Sequence, residues 1–323
     1  MRKVSYIQAL GEALREEMER DERVFILGED VASNLFGATT GFTEQFGAER
    51  VRNTPISEGA IAGAAIGAAM VGMRPIADFT IASFLYVAMD QIVSIAAKST
   101  YLYGGQARIP VVIRACMFYG AANAAQHSDR PYATFATIPG LKIAVPTTPY
   151  DIKGLLKTAV RDDDPVMIFE DGTTWGYMGE IPDEEYLIPF GQADIKRAGT
   201  DVTVVGIAGA VHHALAAADT LDQEGISVEV IDPRTIRPLD KDTILQSVAK
   251  TGRLVVADPA HQVCSVASEV SAIVAEEGFW NLRAPIARVT APDIHPPFSP
   301  PAEAPLYPSP TRIADAVRHV MAD

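Results

Sequence analysis

Short apolar runs alternate with helical stretches along nearly the whole of this 323-residue chain, and that pattern leaves few folds open. Residues 24–27, 75–79, 109–115, 141–145 and 165–169 read as strands that are apolar at almost every position. Such strands have both faces covered, as in a parallel sheet with helices on either side. Helices are expected over 5–21, 83–98 and 149–161, the first opened by Ser5 and Gln8 at capping-box spacing. Residues 32–47 read as a long loop. From 171 to 188 the pattern loosens into Gly, Pro, Trp and acidic residues. It resumes with strands at 202–207, 228–231, 254–257 and 286–289, and helices at 210–223, 240–249, 264–277 and 311–321. The expectation is two three-layer α/β/α domains with largely parallel sheets, residues 1–185 and 186–323. The length suits two ordinary cores.

Charge and cysteine usage narrow the class. A formal net charge of −14 argues against nucleic acid or an anionic membrane as the partner. Two cysteines, Cys116 and Cys264, sit far apart in apolar surroundings and suit a reducing compartment. The start carries no apolar signal core, and the longest apolar run, 59–72, is too short to span a bilayer. A soluble, cytoplasmic protein is expected.

One stretch stands out for chemistry. Thr54-Pro55-Ile56-Ser57-Glu58-Gly59 opens a helix made almost wholly of Ala and Gly, whose glycines need a packing reason against their helix cost. Glu58 lies in its first turn, where the helix dipole favours a negative charge. It reads either as a surface capping residue or, given its apolar neighbours, as a buried acid whose proton affinity its surroundings tune. His127 lies in a loop of small residues after a central strand, where α/β proteins tend to place functional groups. The other histidines considered, His212, His213, His261 and His295, read as structural or surface groups. Neither a phosphate-cradling loop nor a dinucleotide fingerprint nor zinc-ligand spacing is present.

Taken together, several segments carry a resemblance. They are Gly28-Glu29-Asp30, Thr54-Pro55-Ile56-Ser57-Glu58, Gly72-Met73-Arg74-Pro75-Ile76, Asp90-Gln91, Ala96-Ala97-Lys98, Ala125-Gln126-His127-Ser128, Pro139-Gly140-Leu141-Lys142 and Asp232-Pro233-Arg234-Thr235-Ile236-Arg237-Pro238-Leu239-Asp240. In that order they resemble the beta subunit of thiamine-diphosphate-dependent 2-oxo acid dehydrogenases, the pyruvate, branched-chain 2-oxo acid and acetoin dehydrogenases. The likeness covers nearly the whole chain. Residues 148–156 and 251–256 look closest to the acetoin and pyruvate types.

The resemblance implies a transketolase-like pyrimidine-binding domain followed by a transketolase C-terminal domain. It implies an α2β2 heterotetramer whose alpha subunit binds the diphosphate and magnesium through a Gly-Asp-Gly motif followed by a pair of asparagines. The one local echo, Glu170-Asp171-Gly172, lacks those asparagines. By this likeness Glu58 matches the acid bonded to the cofactor's aminopyrimidine, Phe84 the aromatic packed on that ring, and Ile56 a lining residue. His127 matches the active-site histidine and Glu29 an acid near the cofactor. The backbone carbonyls of Val111, Ala159, Asp162 and Asp164 match a potassium site seen in some members. The implied activity is that of an oxidoreductase that cleaves a 2-oxo acid or acetoin and passes the acyl group to the lipoyl domain of an acyltransferase.

Two other readings stay open: a split transketolase-like carbon–carbon transferase without a lipoyl partner, and a non-catalytic subunit that stabilises its partner. The chain also departs from the family pattern at Asp129-Arg130-Pro131, at Tyr86 and Val87, and at Cys116-Met117-Phe118-Tyr119. Each departure bears on substrate choice.

Overall fold

The structure, a computed structural model, describes residues 1–322. The chain forms two compact units, the first from Met1–Phe118 with Thr134–Phe190, the second from Tyr119–Ala133 with the chain from Gly191 on. It thus passes to the second unit at Gly191, five residues beyond the expected 186. The reason is packing: Ile188 is buried in the first core, and a Cβ on Gly154 would lie 2.6 Å from its Cγ1. The excursion of residues 119–133 into the second unit has no counterpart in the sequence pattern.

The first unit begins with β1 (Arg2–Ser5) and α1 (Tyr6–Arg20), followed by β2 (Val24–Gly28), a short α2 (Phe42–Phe46) and β3 (Val51–Asn53). Then come α3 (Glu58–Met70) and β4 (Arg74–Ile81), an irregular helical stretch ending in α4 (Ala97–Leu102), and β5 (Val112–Met117). After the short helix α5 (Ala124–His127), which belongs to the second unit, and α6 (Tyr132–Ala136), the first unit continues with β6 (Lys142–Ala144), α7 (Pro149–Arg161), β7 (Val166–Asp171) and β8 (Met178–Ile181). Six strands of this unit run parallel in the order β6-β7-β5-β4-β2-β3. Separately, β1 pairs antiparallel with β8, Arg2 opposite Ile181. The stretch 171–188, where the sequence pattern loosens, therefore contains a strand, whose partner is the first few residues of the chain.

Local chemistry explains the helix ends and their packing. Ser5 Oγ accepts the Gln8 amide at 3.3 Å while Gln8 Oε1 accepts the Ser5 amide at 2.9 Å, a complete capping box. Helices α1 and α7 meet through charge as well as apolar surface. Glu16 takes the Lys153 and Lys157 ammoniums at 2.6 and 2.7 Å, and the buried Glu17 takes Arg161 at 2.6 Å. These lysines are buried by their stems and paired at their tips.

Two helical expectations need correction. The segment 83–98 is not one α-helix: it winds tightly as a 3-10 helix over Ala82–Ala88, widens to a π-helix over Asp90–Ala96, and becomes α-helical only in α4. Apolar spacing cannot separate these windings, whose periods differ by less than one residue per turn on either side. In α3, the glycines do not admit a neighbouring backbone of this chain. A Cβ on Gly59 or Gly63 would meet the Gln91 side chain at 3.6 and 4.0 Å, and one on Gly67 would meet nothing.

The second unit adds β9 (Asp194–Arg197), β10 (Val202–Gly206), α8 (Ala210–Asp222), β11 (Val228–Asp232), β12 (Thr235–Arg237) and α9 (Lys241–Thr251). It ends with β13 (Leu254–His261), α10 (Val266–Glu277), β14 (Ala287–Ala291), α11 (Pro300–Glu303) and α12 (Pro310–Ala322). Its five-stranded sheet has the order β14-β13-β10-β11-β9, parallel except for the edge strand β9. Val202, Val204, Val230, Val255 and Val289 meet the alanine-rich face of α8 and Ile313 and Val317 of α12. Cys264, expected in apolar surroundings, is instead exposed at a left-handed turn position. Among the described residues no helix is long and apolar enough to cross a membrane.

Candidate cofactor-binding site

The carboxyl ends of β2, β4 and β5 bring together the groups that the sequence scatters. Gly28 ends β2 where only glycine fits, since a Cβ there would lie 2.3 Å from the Asp78 carbonyl oxygen of β4. This close approach sets Glu29 beside Asp78. Asp78 Oδ1 accepts the Thr80 amide at 2.9 Å, and Thr80 adopts a left-handed backbone that bends the end of β4. Beyond the bend, the tight winding of 82–88 presents Phe84. From the other side, the turn before α3 brings in Ile56 and Glu58.

These residues line a narrow cleft bounded by Glu29, Ile56, Glu58, Ile61, Asp78, Phe79, Thr80 and Phe84. A second narrow cleft shares Glu29, Asp78 and Thr80 and reaches Asp30, Phe36 and Arg114. Open α/β sheets bind ligands at such carboxyl-end crevices. Here β3 and β4 flank β2 on opposite sides.

The charges in this region divide into neutralised and free acids. Arg114 Nε donates to Glu170 Oε1 at 2.7 Å, and its Nη1 bonds the Asp78 carboxylate. Glu170 is wholly buried, and burial pushes its carboxyl above the ordinary range while the Arg114 charge opposes the shift. Burial disfavours the Arg114 charge in the same way, but the two carboxylates outweigh it and raise its affinity for the proton. Glu29 and Glu58 differ: each is half-buried, and neither has a hydrogen-bond or ion-pair partner among the described residues. Sequence reading missed Asp78 and Arg114 and noted Glu170 only within the Glu170-Asp171-Gly172 echo. The signal for Asp78 and Arg114 was a charge amid apolar strand residues, at Ile76–Phe79 and Val112–Met117.

The predicted site residues fall as follows. Glu58 is the first residue of α3 and is half-buried, between the two readings that its neighbours allowed. Ile56 is 72% exposed and forms the rim rather than the wall. Phe84 is half-buried and faces the cleft with Glu29 and Glu58. His127 belongs to the second unit, half-buried at the end of α5 in a loop where Ala122 and Ala124 hold left-handed backbone. Three of the four carbonyls matched to potassium already accept a hydrogen bond. Val111 O accepts the Val166 amide at 3.0 Å, Ala159 O the Asp162 amide at 3.2 Å, and Asp162 O the Arg74 guanidinium at 2.9 Å. The Asp162 and Asp164 carboxylates hold Lys142 at 2.8 and 3.0 Å. A potassium ion would share these carbonyls with two backbone amides and the Arg74 guanidinium.

The first cleft suits one end of thiamine diphosphate, the cofactor that the resemblance implies. A carboxylate without a partner, set among Ile61, Phe79 and Phe84, fits a flat heteroaromatic ring carrying a nitrogen to be hydrogen-bonded. Among the described residues no group of three or more His, Cys, Asp and Glu side chains is arranged to hold a metal ion.

Residues 2–173 match the transketolase pyrimidine-binding domain and residues 191–313 the transketolase C-terminal domain. The chain is 47% identical to the 2-oxoisovalerate dehydrogenase subunit beta of Bacillus subtilis, over 98% of this chain and 98% of that protein. It is 43% identical to the acetoin:2,6-dichlorophenolindophenol oxidoreductase subunit beta of the same organism, over 100% of this chain and 98% of that protein. Among solved structures, a split-gene transketolase in the form of an inactive beta4 tetramer superposes with a TM-score of 0.82 at 23% identity, covering 99% of this chain and 98% of that one, a likeness of fold. With these matches over almost its full length, the chain belongs to the family of beta subunits of 2-oxo acid and acetoin dehydrogenases, built from a transketolase pyrimidine-binding domain and a transketolase C-terminal domain.

Proposed function

We propose that this chain supplies the aminopyrimidine half of a thiamine-diphosphate site in an α2β2 dehydrogenase acting on a 2-oxo acid or acetoin. The observation that carries the proposal is the Glu58 carboxylate, half-buried at the start of α3, facing an apolar-walled cleft and lacking any partner among the described residues. When bound, the cofactor supplies the carbon nucleophile and electron sink that cleavage next to a carbonyl requires. Glu58 holds a proton against the ring nitrogen, and the positive end of the α3 dipole steadies its charge. Phe84 orients the ring by packing on its face. Ile61 and Phe79 keep water from it. Glu29 adds a second acid at the mouth of the same cleft. His127 moves a proton at the substrate oxygen and offsets charge there during acyl transfer.

An alpha subunit carrying the Gly-Asp-Gly motif provides the diphosphate and magnesium ligands, and a lipoyl-bearing acyltransferase accepts the acyl group. Turnover that depends on lipoamide rather than an aldehyde acceptor separates this reading from the transketolase-like alternative. The cytoplasmic location belongs to the same proposal. Its test is Glu58→Gln, which is isosteric and cannot share a proton in the same way. Assembly with the alpha subunit is expected to persist while turnover is lost. Normal turnover in that variant would overturn the proposal.

A further inference from the structure

The loop that carries His127 is held by a carboxylate distant in sequence. Glu303, at the end of α11, is 1% exposed. Its Oε1 accepts the Gly120 amide at 2.8 Å and the Tyr307 hydroxyl at 2.9 Å, and its Oε2 accepts the Ala122 amide at 2.6 Å. All four residues belong to the second unit. Ala122 and Ala124 adopt left-handed backbone at φ 55 and 58, a conformation that L-alanine avoids unless its surroundings impose it. A buried carboxylate that gathers the alternate loop amides of Gly120 and Ala122 is such a surrounding, because its charge strengthens both hydrogen bonds.

The far end of the loop is fixed by separate means. Arg130 is buried with its guanidinium 5.2 Å from the Tyr307 ring centroid and 5.7 Å from that of Tyr119. It donates to the Pro259 carbonyl at 3.1 Å and to the Ser128 carbonyl, and lies 3.3 Å from His261 Nε2. Tyr307 thus serves both ends, hydrogen-bonded to Glu303 and stacked under Arg130. Between these two anchors sits His127.

From this geometry we infer that Glu303 is a positioning residue for catalysis, fixing the His127 loop in its strained course through Gly120 and Ala122. The inference rests on the catalytic assignment of His127. Replacing one carboxylate oxygen by an amide turns an acceptor toward a loop N–H into a donor, so Glu303→Gln breaks one anchor at constant volume.

The test uses the assembled complex loaded with cofactor and compares wild type, Glu303→Gln, His127→Ala and the double variant. Glu303→Gln is expected to speed deuterium exchange of residues 120–127 and to lower kcat about tenfold or more with cofactor Kd unchanged, since small misplacements of a catalytic group are costly. In the His127→Ala background the same substitution is expected to change kcat little, because residues that act as a unit are not additive. Unchanged loop exchange, or an undiminished loss of kcat in the His127→Ala background, would overturn the positioning role alone. Full activity of His127→Ala itself would remove the function that the anchor serves, and would overturn the assignment of His127 together with it.

Discussion

The Arg114 guanidinium and the Glu170 carboxylate meet 2.7 Å apart, with the acid wholly buried and the arginine nearly so. Asp78, which lines the cofactor cleft, bonds the same guanidinium. One cation on β5 therefore compensates two acids on β4 and β7, the strands that flank it. Arg114→Met is expected to destabilise the first unit by about 3–5 kcal/mol, because it leaves a buried carboxylate without its counter-charge. Urea unfolding at neutral pH measures this. The sign of the pH dependence follows from burial, which already raises the folded Glu170 carboxyl and meets less opposition once Arg114 is gone. A raised folded pKa favours the fold below the ordinary carboxyl range, and that advantage is lost as pH rises through the raised value. The deficit of the variant is thus expected to shrink between pH 7 and pH 4.

Asp21 provides the opposite case. It caps α1 and accepts the Arg23 amide, Nε and Nη2 at 3.0, 3.0 and 2.7 Å, which lowers its carboxyl to about 2. Its contribution is present above the ordinary Asp value and is lost as pH falls toward 2. Asp21→Asn is expected to cost about 1 kcal/mol at pH 6, with the difference from wild type closing as pH drops below 4. Denaturant midpoints measured across that range give the answer.

Gly28→Ala tests the crossing that places Glu29 beside Asp78. The new methyl would lie 2.3 Å from the Asp78 carbonyl oxygen, so β2 and β4 must separate. A loss of about 1–3 kcal/mol is expected from the overpacking. Cofactor affinity of the assembled complex should fall with it, since the same shift moves two walls of the cleft. Unchanged stability would mean that the strands are not in the close contact described.

Phe84→Ala removes the aromatic wall without touching a charge. The expected result is an increase of about tenfold in the Kd for thiamine diphosphate, the order of one lost aromatic contact. Tryptophan-fluorescence titration of the assembled complex reads this directly.

How much of this was legible in the sequence depends on what each residue contributes. The parallel strands were readable because burial on both faces leaves a continuous apolar run, as at Val24–Gly28. Glu58 stood out from its place in the chain, but its role and that of Phe84 were assigned by resemblance alone, since a half-buried Glu at a helix start has the same spacing as a surface cap. The anchors were not readable. Glu303 lies in a proline-rich segment that looks like a surface arm, yet it binds the amides of Gly120 and Ala122 more than 180 residues earlier. The winding of 82–96 was missed because side-chain spacing records the face of a helix more faithfully than its pitch. The alanine and glycine face of α3 is exposed at Ala60, Gly63, Ala64 and Gly67.

The claim that matters most is that this chain holds half of a cofactor site. Calorimetric titration of magnesium and thiamine diphosphate into the chain alone, and into its mixture with the alpha subunit, tests it directly. Tight binding in the mixture and none to the chain alone is the predicted result. Tight binding to the isolated chain would reveal a diphosphate site within it and contradict the division of labour proposed here.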